Sequence, residues 1–380
     1  MESDFGRGLF GQGTVAAKRL ASRRFVRRCK RRILKGVAGF VCYAGRFKPT
    51  KRFTNRFRFK VNKTLAIPFP YVTISKSRSV QILAYHRVNN DNDPFLPATS
   101  CSVFEKQMEF LAQNYNVLTV DRAVDGIVRN DVPENAIALT FDDGYRDNYL
   151  NAFPILKRYS LPATIFLATG VIGSKRILWH DQVFAAFKAT SASSLADFGA
   201  GNGVLDLDSV ESRLAAQSRV LEYLWTLDQG DRDQAICRLH ERLKISQSAG
   251  ESTGRIMLSW EEVGEMSRYG IHFGAHTVNH PILSRLSYDD ARREIDSSKK
   301  AIENALHVPV TSFAYPVGRP ADYTPEIKTF IEEAGFRCGL TMVLGNNEAG
   351  SDRYELRRIA PWDEDCDLFG LRLNAYKLCY

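Results

Sequence analysis

The sequence predicts an α/β fold in which a largely parallel sheet is covered by helices, as an open sheet or a barrel. Two observations predict it. From about residue 78 the chain alternates short apolar runs, each of buried-strand length, with amphipathic helical stretches. Parallel neighbours need that much chain between them to cross over. Several chemistry-bearing residues also sit where apolar runs end, the edge at which such folds build their sites.

The runs that read as strands are VQILAY (80–85), AIALTF (136–141), ATIFLA (163–168), IHFGAH (271–276) and VTSFAY (310–315). Ser259 and Glu262 form a capping box ahead of one helix, and Ser287 caps DDARREIDSSKKAIENAL. Thr324–Pro325 starts a further helix that Gly335 closes. Residues 185–255 break the alternation with a Ser/Gly/Ala-rich link and two helical stretches, and read as an insertion. The expected organisation is a basic N-terminal arm over residues 1–75 and one domain over 76–380 carrying that insertion.

The 380 residues can bury a large core, and 44% hydrophobic with 25% charged content is that of a globular protein. The net charge of +9 is uneven. Residues 1–60 hold 18 Lys/Arg against 2 Asp/Glu (+16), leaving 34 against 41 (−7) for the remainder. The basicity therefore belongs to an appendage and not to the surface around a site. Within it, Ile33, Val37, Phe40, Val41 and Ala44 recur at helical spacing, weakened by Gly36 and Gly39. Three readings stay open: an anchor on an anionic membrane surface, an export signal using the Gly36–Gly45 apolar run and Arg31–Arg32, or a basic tail. No nucleic acid partner is expected, because no recognition motif accompanies the charge.

No stretch approaches the roughly 18–20 apolar residues of a membrane span. The seven cysteines are scattered, odd in number and without CxxC spacing, which fits a reducing compartment better than a disulfide framework or a zinc knuckle. A cytoplasmic or inner-membrane-peripheral location follows, with export as the alternative.

In ALTFDDGYRDNY (138–149) a buried run ends in two adjacent carboxylates, Asp142 and Asp143, and a glycine. One reading is a turn, since Asp-Gly is a common turn signal. The other is a division of labour. A metal-ligating carboxylate must stay ionised and aimed at the ion, so only its neighbour is free to take a proton. In GAHTVNHPILS (274–284), His276 and His280 stand four apart, and on a helical turn both rings would leave one face. Two imidazoles and one carboxylate, with a position left open, make a catalytic zinc set.

These residues resemble the polysaccharide deacetylases, the NodB-homology or carbohydrate esterase family 4 domain. TFDDG stands at Thr140–Gly144 and H-[ST]-x-x-H-P at His276–Pro281. The likeness runs through YHRV (85–88), LPATIFLATG (161–170), FAYPVG (313–318) and LRRI (356–359), or roughly residues 78–360. It implies a distorted (β/α) barrel and metal-dependent removal of N-acetyl groups from an acetylated amino-sugar glycan. By motif match it implies Asp143, His276 and His280 as ligands of a divalent metal, with zinc the first choice. Manganese, cobalt and nickel stay open because soft thiolate ligands are absent. Asp142 would be the base, and Tyr315 would offer its backbone N–H to the developing oxyanion. His86, in a YH motif like that of the poly-N-acetylglucosamine branch, would be the acid.

Two departures stand out. VPVTSFAYP lacks the arginine that in many members precedes the third motif, although Arg357 or Arg358 could reach in, and the tail LNAYKLCY holds no histidine. They leave open a catalytically weak glycan-binding relative, or a deacetylase of a lipid-linked or monomeric sugar. Trp179 of LWHDQ reads either as a sugar-stacking ring or as core, with His180 equally divided. His240, His272 and His307 read as structural or exposed.

Overall fold

The structure, a computed structural model, describes residues 78–199, 203–245, 254–361 and 363–379. The basic arm, with its three readings, lies outside the described residues. None of the described helices is long and apolar enough to cross a membrane.

Strand β1 (Ser79–Tyr85) enters the core at once, with six of its seven residues buried. After the helix Cys101–Asn114 come β2 (Asn116–Leu118), the helix Val120–Arg129 and β3 (Ala136–Phe141). Every β3 residue is buried, as expected of a parallel strand covered on both faces. β4 (Ala163–Leu167) follows, and then the segment that departs from the alternation. Its described residues form the helix Trp179–Ala189, a hairpin of β5 (Ser194–Ala196) and β6 (Val204–Asp206), and the helices Val210–Leu224 and Gln229–Arg242. They close around an apolar core that includes Phe187, Val220, Leu224 and Leu239.

The alternation then resumes with the helix Trp260–Arg268 and β7 (Ile271–Ala275), the helix Tyr288–Leu306 and β8 (Ser312–Ala314), and the helix Pro325–Glu333 and β9 (Cys338–Leu340). The short β10 (Asn347–Glu348) and the helix Cys366–Cys379 complete the chain. Each sequence-read cap is present. Ser259 and Glu262 exchange capping-box bonds, Ser287 caps the 19-residue helix, and Thr324 caps the helix with proline in its first turn. Gly335 leaves the last at φ +78°, a conformation that favours glycine.

The strands form a sheet ordered β10-β1-β3-β4-β7-β8-β9, with β2 also paired to β3. All pairs are parallel except β1 with β10. The gap between β9 and β1 is bridged by Leu356–Ile359. Thr341 N–H donates to Leu356 O at 2.8 Å, and Ile359 N–H to Ile82 O at 2.8 Å. The sheet thus curls into the distorted barrel that the motif resemblance implied, and the LRRI segment is its closing seam. Among the described residues Cys101, Cys237, Cys338 and Cys366 are free.

Candidate metal centre and active site

Asp142 continues the β3 ladder, its N–H donating to Tyr85 O at 3.0 Å, and the chain then turns through Asp143 (φ 74°) and Gly144 (φ 82°). Aspartate tolerates that left-handed angle better than most residues. At position 144 a Cβ would meet Leu167 Cδ2 at 2.8 Å, so glycine is required there on two grounds. The turn is real, and it serves to aim the two carboxylates apart.

His276 follows β7 directly, its N–H on Leu167 O at 3.0 Å. The chain from 276 to 280 forms no helical turn. Thr277 (φ 66°) and His280 (φ 54°) are both left-handed, and Thr277 Oγ1 accepts the His280 N–H at 3.0 Å. This loop nevertheless brings the two rings together, with centroids 4.8 Å apart. It is fixed from outside by Glu294, whose carboxylate accepts the N–H groups of Val278 and Asn279 at 2.8 and 2.9 Å. Trp179 Nε1 donates to His280 O at 3.0 Å, and this buried indole therefore holds the loop. Of the two readings of Trp179, the sugar platform is the one the structure contradicts.

The three side chains meet around Asp143 Oδ1, which lies 3.6 Å from His276 Nε2 and 3.5 Å from His280 Nε2. One ligand atom from each lies within 4.8 Å of the others, and all three residues are buried. His276 donates Nδ1–H to Ala314 O (2.7 Å), which leaves Nε2 bare toward the carboxylate. Asp143 Oδ1 and His280 Nδ1 are buried without a hydrogen-bond partner among the described residues. A buried carboxylate oxygen facing two imidazole nitrogens is costly alone and satisfied by a divalent cation, so this donor set fits the metal that the family implies.

Asp142 has a different partner. Arg358, fully buried, donates from both terminal nitrogens to the two Asp142 oxygens at 2.7 and 2.8 Å and from Nε to Thr341 O at 2.9 Å. The place left empty before the third motif is thus filled from the closing seam, by Arg358 and not Arg357. Burial pushes the Asp142 carboxyl up, but Arg358, His276 and His86 outweigh it and hold it at about 2. Asp143 moves the other way, raised well above the carboxylate range by burial and then by the Asp142 and Asp181 charges. Burial takes His276 down to about 4 and His280 well below the usual imidazole value, so both rings are neutral at neutral pH.

His86 Nε2 stands 3.9 Å from Asp142 Oδ2 at the open side of the pair, with 36% of its side chain exposed. Burial lowers its pKa, with Asp142 pulling the other way. Tyr315 needs a correction. Its N–H donates to Leu340 O at 3.0 Å within the sheet, and its buried hydroxyl donates to Tyr354 O at 2.9 Å. Neither donor is free for an oxyanion. Two residues on, Val317 adopts φ 60°, a strained angle for a β-branched side chain, and its N–H meets no acceptor among the described residues.

Sequence reasoning left His180 undecided and passed over Tyr145 and Asp181. The structure groups all three beside Asp143. Tyr145 hydroxyl donates to the Asp181 carboxylate at 3.0 Å and lies 3.2 Å from His180 Nε2, itself 3.9 Å from Asp143 Oδ2. A tyrosine directly after TFDDG and a carboxylate within LWHDQ were the available signals. His272 and His307 are exposed, as expected.

A buried carboxylate with two imidazoles at the carboxyl ends of parallel strands, beside an arginine-locked second carboxylate, defines a metal-site (β/α) barrel. The chain belongs to the polysaccharide deacetylase family, whose model matches residues 129–339. It is 25% identical over 291 residues to YxkH of Bacillus subtilis (strain 168), described as a polysaccharide deacetylase, covering 76% of this chain and 74% of that one. It is 32% identical over 122 residues to a poly-β-1,6-N-acetyl-D-glucosamine N-deacetylase of Staphylococcus aureus (strain N315), covering 28% of this chain and 42% of that protein. Among solved structures, IcaB from Ammonifex degensii matches with TM-score 0.52 at 19% identity, over 79% of this chain and 97% of that one. The Streptococcus pyogenes deacetylase PplD matches with TM-score 0.50 at 21% identity, over 75% and 92%. At these identities the structural likenesses speak for the fold.

Proposed function

We propose that the protein is a zinc-dependent deacetylase that hydrolyses the N-acetyl groups of an amino-sugar poly- or oligosaccharide, releasing acetate and a free amine. The observation that carries the reading is the unequal treatment of the aspartate doublet. One carboxylate is clamped by a buried arginine, and Oδ1 of its neighbour has no hydrogen-bond partner among the described residues and faces two imidazole nitrogens. A turn needs neither arrangement. The name of the S. aureus relative makes a β-linked N-acetylglucosamine polymer the first substrate to try.

Asp143, His276 and His280 would hold the ion. When bound, it supplies Lewis acidity toward the acetamide carbonyl and lowers the pKa of a coordinated water. Asp142 accepts the proton of the attacking water, and its bidentate pairing with Arg358 fixes which oxygen faces the reaction. The backbone amide that donates to the developing oxyanion is Val317's, because Tyr315's is engaged with Leu340. His86, on the open side of Asp142, gives a proton to the departing amine nitrogen.

The weak glycan-binding alternative drew on the missing arginine and the missing terminal histidine. Arg358 removes the first motive, and His86 supplies an imidazole where the second would be needed. Acetate release across a panel of acetylated chitooligosaccharides and poly-β-1,6-N-acetylglucosamine, with and without chelator, is the test. Chelator-sensitive release from at least one of them is expected. Glycan binding without any release, with zinc present, would make the protein a binding relative.

A further inference from the structure

On the helix Gln229–Arg242 the residues Arg232, Ile236 and His240 recur at four-residue spacing and so share one face. Ala235, Ile236 and Leu239 make the adjoining surface part of the apolar core, and Arg232 occupies a core position with 2% exposure. Among the described residues its Nε and Nη1 have no hydrogen-bond partner, and no carboxylate forms an ion pair with it. The acids nearest to serving it are otherwise placed. Glu294 accepts three hydrogen bonds from Val278 and Asn279, Asp228 caps its own helix, and Asp233 is exposed. A guanidinium cannot shed its proton to escape burial. The face of Trp179, 4.7 Å from it, compensates only part of the charge.

Arg232 lines a cavity of about 250 Å³ whose polar lining also includes Arg176, Gln182, His240 and Asn279, with Asp233 among the wall residues. His240 Nε2 is likewise buried and without a partner. None of Asp143, His276 and His280 lines this space, although Trp179 and Asn279 belong both to its wall and to the supports of the His280 loop. The cavity therefore lies behind the candidate metal centre and is not part of it. We infer that this cavity is a binding site for a small oxyanion of the phosphate or sulfate class, held by the Arg232 guanidinium and the His240 ring. The volume admits such a group with its hydration, and the planar guanidinium offers paired donors. The His240 ring, lowered by burial and bonded to the Gln182 backbone, donates from Nε2 only as it takes up a proton with the anion. Asp233 also lines this space, and its partly desolvated carboxylate offsets some of the Arg232 charge without a hydrogen bond to it.

The test is thermal unfolding and calorimetric titration of the full-length chain in sodium phosphate, and separately sodium sulfate, against chloride at matched ionic strength. The wild type is expected to gain melting temperature in the oxyanion buffers. Arg232→Met, which keeps an apolar stem on Trp179, is expected to lose that gain and to unfold in chloride no lower than the wild type. His240→Gln and Arg176→Gln change the lining at the cost of one backbone contact each, to Gln182 and Gly170, and are expected to weaken phosphate binding about tenfold. The inference is overturned if the wild type shows no gain over chloride. It is equally overturned if Arg232→Met keeps the full gain, since the anion would then sit on the metal or the basic arm. Should Arg232→Met fail to fold, unchanged phosphate affinity in both lining variants overturns it.

Discussion

Asp142 and Asp143 share burial and backbone, yet their neighbours drive them apart. Arg358 holds Asp142 ionised down to about 2, while Asp143, facing Asp142 and Asp181, is raised. Asp142→Asn should therefore abolish acetate release and leave zinc affinity nearly unchanged, since Asn cannot accept the water's proton and is no ligand. Retained activity would overturn its role as base. Arg358→Met should cost about 3–5 kcal/mol in urea unfolding, because it strands a buried carboxylate. An unchanged midpoint would mean that Asp142 is solvated. The doublet and both histidines were legible in the sequence because they lie in short contiguous motifs. Arg358 was legible only as one of two candidates, since it pairs with Asp142 across 216 residues. The Tyr315 amide was misread because sequence does not reveal which N–H groups the sheet engages.

At the scale of elements, the long helices were legible through their caps, and the central strands through continuous burial. β2, β9 and β10 are only two or three residues long, too short for any hydrophobic period to register. The conformation of the loop from His276 to His280 was not legible, because four-residue spacing is ambiguous without the backbone angles. Its stiffness comes from Glu294 below and Trp179 behind. Trp179→Phe keeps the ring but removes the donor to His280 O, leaving a buried carbonyl unpaired. Stability should fall by about 1–3 kcal/mol in denaturant titration, with zinc affinity falling alongside it. Loss of stability with zinc affinity untouched would show that the indole serves the core alone.

For the whole molecule, the curl of the sheet is what converts distant segments into one site, since β3, β7 and the Leu356–Ile359 seam, which follows β10, each contribute at the same end. Sequence alternation announced a parallel α/β sheet but left its closure open, because the seam Leu356–Ile359 is a pair of bridges with no strand pattern of its own. Under the proposed function, ion binding would tie the site to global stability. Without the ion, the Asp143 carboxyl titrates above its unfolded value, so its proton favours the fold at low pH and this contribution is lost as pH rises through the raised pKa. Binding must displace that proton, whereas His276 and His280 are already neutral at neutral pH. Added zinc should thus raise the melting temperature more at about pH 7.5 than at about pH 5.5. An equal or reversed difference would mean that Asp143 is not the titrating ligand.

The most direct measurement is metal content by mass spectrometry of the full-length chain after zinc loading and exhaustive dialysis. The wild type and Asp142→Asn should retain stoichiometric zinc, while Asp143→Asn combined with His276→Ala and His280→Ala should retain none. A wild type that holds no stoichiometric ion, or a triple variant that holds as much as the wild type, would contradict the account.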